Sequence, residues 1–98
     1  MGHYPSEVVL RFLEKENSID HAFIATIEGE WEFADCDFFA WKGEVLELHT
    51  GGWSGNEDII RALRQNRVFW ELLEKEEAGG HYYFKLKKKE AEEKRRTD

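Results

Sequence analysis

Apolar and polar positions along this 98-residue chain fall into runs with two different periods. Val9, Leu10, Phe12 and Leu13 recur at helical spacing, with Arg11, Glu14 and Lys15 outside the stripe. Pro5-Ser6 suits a first helical turn and Asn17-Ser18 a stop, so the pattern predicts a helix over residues 6–16. From 25 to 33 the period changes. Ile27, Trp31 and Phe33 share one parity and Thr26, Glu28, Glu30 and Glu32 the other, which predicts a half-buried strand. A second strand is predicted over 36–41, and a tight turn at Lys42-Gly43 leads into a third over 44–50, where Leu46 and Leu48 face inward and Glu47 and His49 outward. A long helix over 56–76 is predicted from Ile59, Ala62, Leu63, Phe69, Trp70 and Leu73, with Glu57–Arg61 and Arg67–Glu71 as exposed pairs four apart. Asn66 lies on its buried stripe, as a core hydrogen-bonding group or a reach into an interface. After Gly79-Gly80, Tyr82, Phe84 and Leu86 alternate along a last strand.

These elements predict an α+β fold of about four largely antiparallel strands with two helices packed on one face, in the order α-β-β-β-α-β. Residues 1–86 form one domain, and residues 87–98 a charged tail. So short a chain has a thin core. Aromatic residues make up 14% of it, including Trp31, Trp41, Trp53 and Trp70, more apolar surface than a small monomer readily hides; a homo-oligomer is expected.

Charge narrows the function. Residues 1–84 carry 17 acidic against 7 basic side chains, a net of −10, whereas residues 85–98 carry 7 basic against 4 acidic, a net of +3. A body this acidic repels nucleic acid and anionic membrane, so neither is an expected partner. No run approaches the roughly 18 apolar residues of a membrane span, and no signal-peptide pattern opens the chain. The single cysteine, Cys36, excludes an internal disulfide and reads as a lone buried thiol of a reducing compartment, so a cytoplasmic location is expected.

The segment with most chemical content is Thr50-Gly51-Gly52-Trp53-Ser54-Gly55-Asn56-Glu57, which joins a strand to the long helix. Glycine favours positive φ and close approach of a ligand to the main chain, and a helix start presents unpaired N–H groups to an anion. The same residues match a capping box, in which Ser54 and Glu57 close the helix start. A plain cap does not need Trp53, which could stack on a flat ring or pack in a subunit interface. The segment lacks the lysine of a P-loop and the glycine spacing of a dinucleotide fingerprint, which argues against nucleoside triphosphate hydrolysis. Gly79-Gly80-His81-Tyr82 is the second candidate. If the last strand neighbours the hairpin, His81 approaches the Thr50 loop, with Arg61 one turn into the helix, although Arg61 also serves as the partner of Glu57. His49 and His81 are the acid–base candidates should the chain be an enzyme, but neither has a motif partner. His3, His21, His49 and His81 show no metal-ligand spacing, and Glu28, Glu30, Glu32, Asp35 and Asp37 read as the wet face of a sheet; no metal and no cofactor are expected.

The Thr50–Glu57 segment, followed by Ile60, Leu63, Asn66, Phe69-Trp70 and Gly79-Gly80-His81-Tyr82, resembles a family of small uncharacterised phage and bacterial proteins over residues 46–84. The resemblance implies a phage or prophage setting, and small acidic proteins there are similar in kind to anti-defence proteins that sequester nucleotide signals. The leading expectation is a non-catalytic module binding a phosphorylated, nucleotide-like molecule. Trp53 and Tyr83 would stack on it, Gly51, Gly52, Ser54, Asn56 and Arg61 would hold its charged part, and His81 would close the pocket, with Thr50 and Gly80 also among the ligand-binding residues. The alternatives are a module that inhibits or recruits a host protein through exposed Trp and Tyr, and a small hydrolase using His49 or His81 as base.

Overall fold

The computed structural model of the chain describes residues 4–86, so the charged tail expected from residue 87 lies outside the described residues. The first helix, α1 (Glu7–Lys15), starts at Ser6, whose hydroxyl accepts from the Val9 N–H at 3.2 Å. A second helix follows, α2 (His21–Glu30), where alternation predicts a strand. Asp20 is the reason: its carboxylate accepts the Phe23 N–H at 3.0 Å and so caps the helix. The buried residues Phe23, Ile24, Ile27 and Trp31 then follow a helical period, and the alternating glutamates coincide with it by chance. A single 3₁₀ turn, Ala34–Cys36, leads to the hairpin β1 (Phe39–Lys42) and β2 (Val45–His49).

Helix α3 (Ser54–Gln65) ends at Asn66, and after one turn of α4 (Arg67–Trp70) the chain becomes extended as β3 (Leu73–Glu77), where a continuing helix is expected. Strand β4 (His81–Lys85) follows. Glu74, Lys75, Glu76 and Glu77 are ordinary helix residues, but pairing with β4 outweighs propensity, and their charge suits an edge strand. The break at Asn66 is built by its side chain. Oδ1 accepts from the Phe69 N–H at 3.1 Å, and Nδ2 donates to the carbonyls of Leu13 and Glu16 at 2.8 and 2.7 Å, closing the end of α1. Asn66 is thus a core hydrogen-bonding residue, not part of a continuous stripe.

The four strands form one antiparallel sheet in the order β1-β2-β4-β3, and with the helices they make an α+β fold. The order along the chain is α-α-β-β-α-α-β-β rather than α-β-β-β-α-β. Phe39, Leu46, Leu48 and Phe84 occupy one parity of the sheet and share a single core with Leu13, Phe23, Ile27, Ile59, Leu63 and Phe69 from the helices. A register irregularity between Leu73 and Lys75 sets Leu73 opposite buried Phe84 and Lys75 opposite Tyr83, on the other face. At that edge Arg64 lies 4.6 Å from the Trp70 ring centroid and 3.6 Å from Glu76, sealing helix to strand. Among the described residues no helix is long and apolar enough to cross a membrane.

Candidate functional site

Two loops meet beside the start of α3. The first, after α2, carries Phe33 and Asp37 in the left-handed region, at φ 63° and 68°. For a phenylalanine this conformation costs on the order of 1–2 kcal/mol. The second is the glycine turn after β2. Gly51 is required there, because at φ 61° a Cβ would lie 2.2 Å from the Phe38 ring. Asn56, fully buried, ties the two loops together: Oδ1 accepts from the Glu32 N–H at 2.8 Å, while Nδ2 donates to the Glu32 and Thr50 carbonyls at 3.2 and 3.3 Å. Above this staple Phe33, Phe38 and Trp53 form a rim, with ring centroids 5.1 Å apart for Phe33–Trp53 and 6.0 Å for Phe33–Phe38. Phe33 is 39% exposed and Trp53 40%.

The residues expected to hold an anion are largely engaged with the chain itself. The Thr50 N–H donates to the Gly80 carbonyl at 2.9 Å and the Trp53 N–H to the Thr50 carbonyl at 3.1 Å. The Gly52 N–H reaches the Thr50 hydroxyl at 3.4 Å. Thr50 and Asn56 are buried, and the Asn56 amide is spent on the staple. The capping box does not form, because the helix begins one residue earlier than its pattern requires: Trp53 is the cap, extended and without a side-chain bond, and Ser54 is the first helical residue. Arg61 pairs with Asp58 rather than Glu57, and Asp58 also accepts the Tyr4 hydroxyl at the seam between α1 and α3. That bond raises the Tyr4 hydroxyl pKa.

Gly80, rather than His81, meets the Thr50 loop. Strand β4 lies beside β2, and Gly80 packs so closely on Thr50 that a Cβ would come within 2.1 Å of its hydroxyl. The His81 ring itself turns to His49 on the open face of the sheet, Nδ1 to Nδ1 at 2.7 Å, and His49 Nε2 lies 3.3 Å from Glu47 Oε1. Tyr83 stands edge-on to His49 at 5.9 Å, and its hydroxyl donates to Glu77 at 3.0 Å. This bond, reinforced by Lys75, lowers the Glu77 pKa, and the same bond raises that of Tyr83. The expected pocket therefore divides into an aromatic rim around Trp53 and a histidine–carboxylate row on the sheet, while Arg61 belongs to neither.

Phe33 and Phe38 escape the sequence reading, which places Phe33 on the buried side of a strand. The signal for them is Asp20: once it caps α2, the residues around Phe33 must form a loop rather than a strand. Cys36, read as a buried thiol, is exposed beside this rim. The acidic residues Glu28 to Asp37 lie on the end of α2 and this loop, not on a sheet, and among the described residues no group of three or more His, Cys, Asp and Glu side chains is arranged to hold a metal ion. No known protein family, curated protein or solved structure matches the chain.

Proposed function

We propose that this chain is a non-catalytic binding module that recognises a basic protein segment with an apolar anchor residue, through Phe33 and Trp53. The observation that carries this reading is Phe33, held at φ 63° while 39% exposed and set against an exposed tryptophan. Strain and exposure together bring the fold little, but they suit a contact surface, where aromatic anchors supply most of the affinity. Glu32, Asp35, Asp37 and Glu57 lie next to these rings along the chain, within a body of strongly negative net charge, so a basic partner is favoured and drawn in. The nucleotide reading draws on Thr50, Gly51, Gly52, Ser54, Asn56 and Arg61, and of these the Thr50 hydroxyl, the Gly52 N–H, the Asn56 amide and the Arg61 guanidinium have partners within the chain. In the phage setting that the motif resemblance implies, the partner is a cytoplasmic host protein.

The test is calorimetric titration with synthetic peptides rich in Lys and Arg around one central Leu, Phe or Trp, beside acidic controls and a nucleotide panel. Basic apolar peptides are expected to bind, at least tenfold more weakly to Trp53→Ala and in high salt. Nucleotide binding that Asn56→Ala abolishes without unfolding the protein would contradict the proposal. Self-association is a second part of this reading. Val8 and Phe12 on α1, and Tyr4 just before it, are exposed apolar residues, and sedimentation of Val8→Glu is expected to show a smaller species than the parent; identical sedimentation would remove them from any interface.

A further inference from the structure

We infer that the open face of the sheet carries a two-imidazole chelate for a late divalent transition metal, formed by His49 and His81. The register of β2 and β4 sets these residues directly opposite each other, which brings cross-strand side chains to about 5 Å. Their rings have converged further, with Nδ1 atoms 2.7 Å apart, a line that holds one shared proton. Its position follows from the neighbouring carboxylate. Glu47 only accepts, so His49 Nε2 carries a hydrogen, its Nδ1 is a lone pair, and the His81 Nδ1–H donates to it. A metal ion takes the place of that proton. Once the His81 hydrogen moves to Nε2, both Nδ1 lone pairs are directed at the same point.

Metal–nitrogen bonds of about 2.0–2.1 Å at a tetrahedral angle need nitrogens roughly 3.3 Å apart, so the rings, which now meet head-on with centroids 5.0 Å apart, have to part by about half an ångström and each swing roughly 35° off the line between their nitrogens. The His49 side chain is 20% exposed, which leaves water to complete the coordination. Glu47 then serves as the carboxylate that orients a ligating imidazole through its other nitrogen. Glu77, opposite His81 on β3 and held by Tyr83, adds a second negative charge nearby. Imidazole donors select Cu²⁺, Ni²⁺ and Zn²⁺ over Mg²⁺ and Ca²⁺. With two protein ligands rather than three the site is a weak one, and an ion in it ties β2 to β4. Sequence spacing does not reveal it because strand pairing, not proximity along the chain, creates the pair. The inference is independent of the aromatic rim.

The experiment is titration of the full chain with Zn²⁺ and Ni²⁺, in a His3→Ala background so that the amino end does not compete, read by calorimetry and thermal unfolding. One ion per chain is expected, with Tm raised by several degrees at saturation and binding lost as pH falls from about 7.5 to 5.5, where protons compete for imidazole. His49→Gln and His81→Gln, each checked for native circular dichroism, are each expected to weaken binding more than tenfold. Glu47→Gln is expected to weaken it roughly tenfold while keeping the stoichiometry. Zn²⁺ binding that survives His81→Gln would overturn the inference, as would the absence of heat and of any Tm change at millimolar Zn²⁺.

Discussion

Phe23 and Phe33 are the same residue ten positions apart, and the fold uses them in opposite ways. Phe23 lies inside a regular helix, fully buried, with its ring 5.6 Å from Phe69 of α4, which in turn sits 4.6 Å from Phe84 of β4. Phe33 occupies a left-handed backbone position, 39% exposed, against Trp53. The first ring holds the protein together and is relaxed. The second is held in place by the protein, through the Asn56 staple beneath it, at a local cost. Burial and strain therefore distinguish a phenylalanine that stabilises the fold from one that the fold presents.

The largest effect that could break this contrast comes from the core. Phe23→Ala is expected to cost about 3–5 kcal/mol in urea unfolding, since it empties a site that closely packed neighbours cannot refill. A cost below about 1 kcal/mol would mean that the core does not depend on it. Next comes Asn66→Ala, which strands the Leu13 and Glu16 carbonyls and the Phe69 N–H. A loss of about 2–3 kcal/mol is expected, with Asn66→Asp little better because a carboxylate cannot donate.

The smallest effect lies on the open face of the sheet. Folding lowers the Glu77 pKa, so its contribution is present above the ordinary glutamate value near 4.3 and disappears as pH falls through the lower folded value. Folding raises the Tyr83 pKa, so its contribution is present below about 10 and disappears as pH rises through the higher folded value. Tyr83→Phe removes the shared bond. The stability gap between wild type and this variant is expected to be a modest plateau near neutral pH that narrows in acid and in alkali. A gap constant at every pH would detach the bond from stability.

The hairpin was legible in the sequence because Lys42-Gly43 marks its turn and Leu46 and Leu48 mark its buried parity, all local signals. The stripe Ile59, Ala62 and Leu63 likewise marked α3. What could not be read depended on groups distant in sequence. Residues 73–77 look helical by themselves and become a strand because β4 is there to pair with. Residues 25–30 look like a strand until Asp20 is recognised as a cap. At the candidate site, the glycine turn and Trp53 followed from the chain, but it is Gly80 rather than His81 that meets Thr50, and Phe33 and the His49–His81 pair did not follow. Phe33 needed α2 to be assigned correctly, and the histidine pair needed the strand order.

The most direct measurement is the unfolding free energy of Phe33→Gly in urea. Glycine relieves the left-handed strain, about 1–2 kcal/mol, while removal of the ring forfeits a half-exposed contact of similar size. The variant is expected to lie within about 1 kcal/mol of wild type. A loss of about 3 kcal/mol or more, comparable to that of Phe23→Ala, would show that Phe33 is a core residue and that the aromatic rim belongs to the fold rather than to a partner.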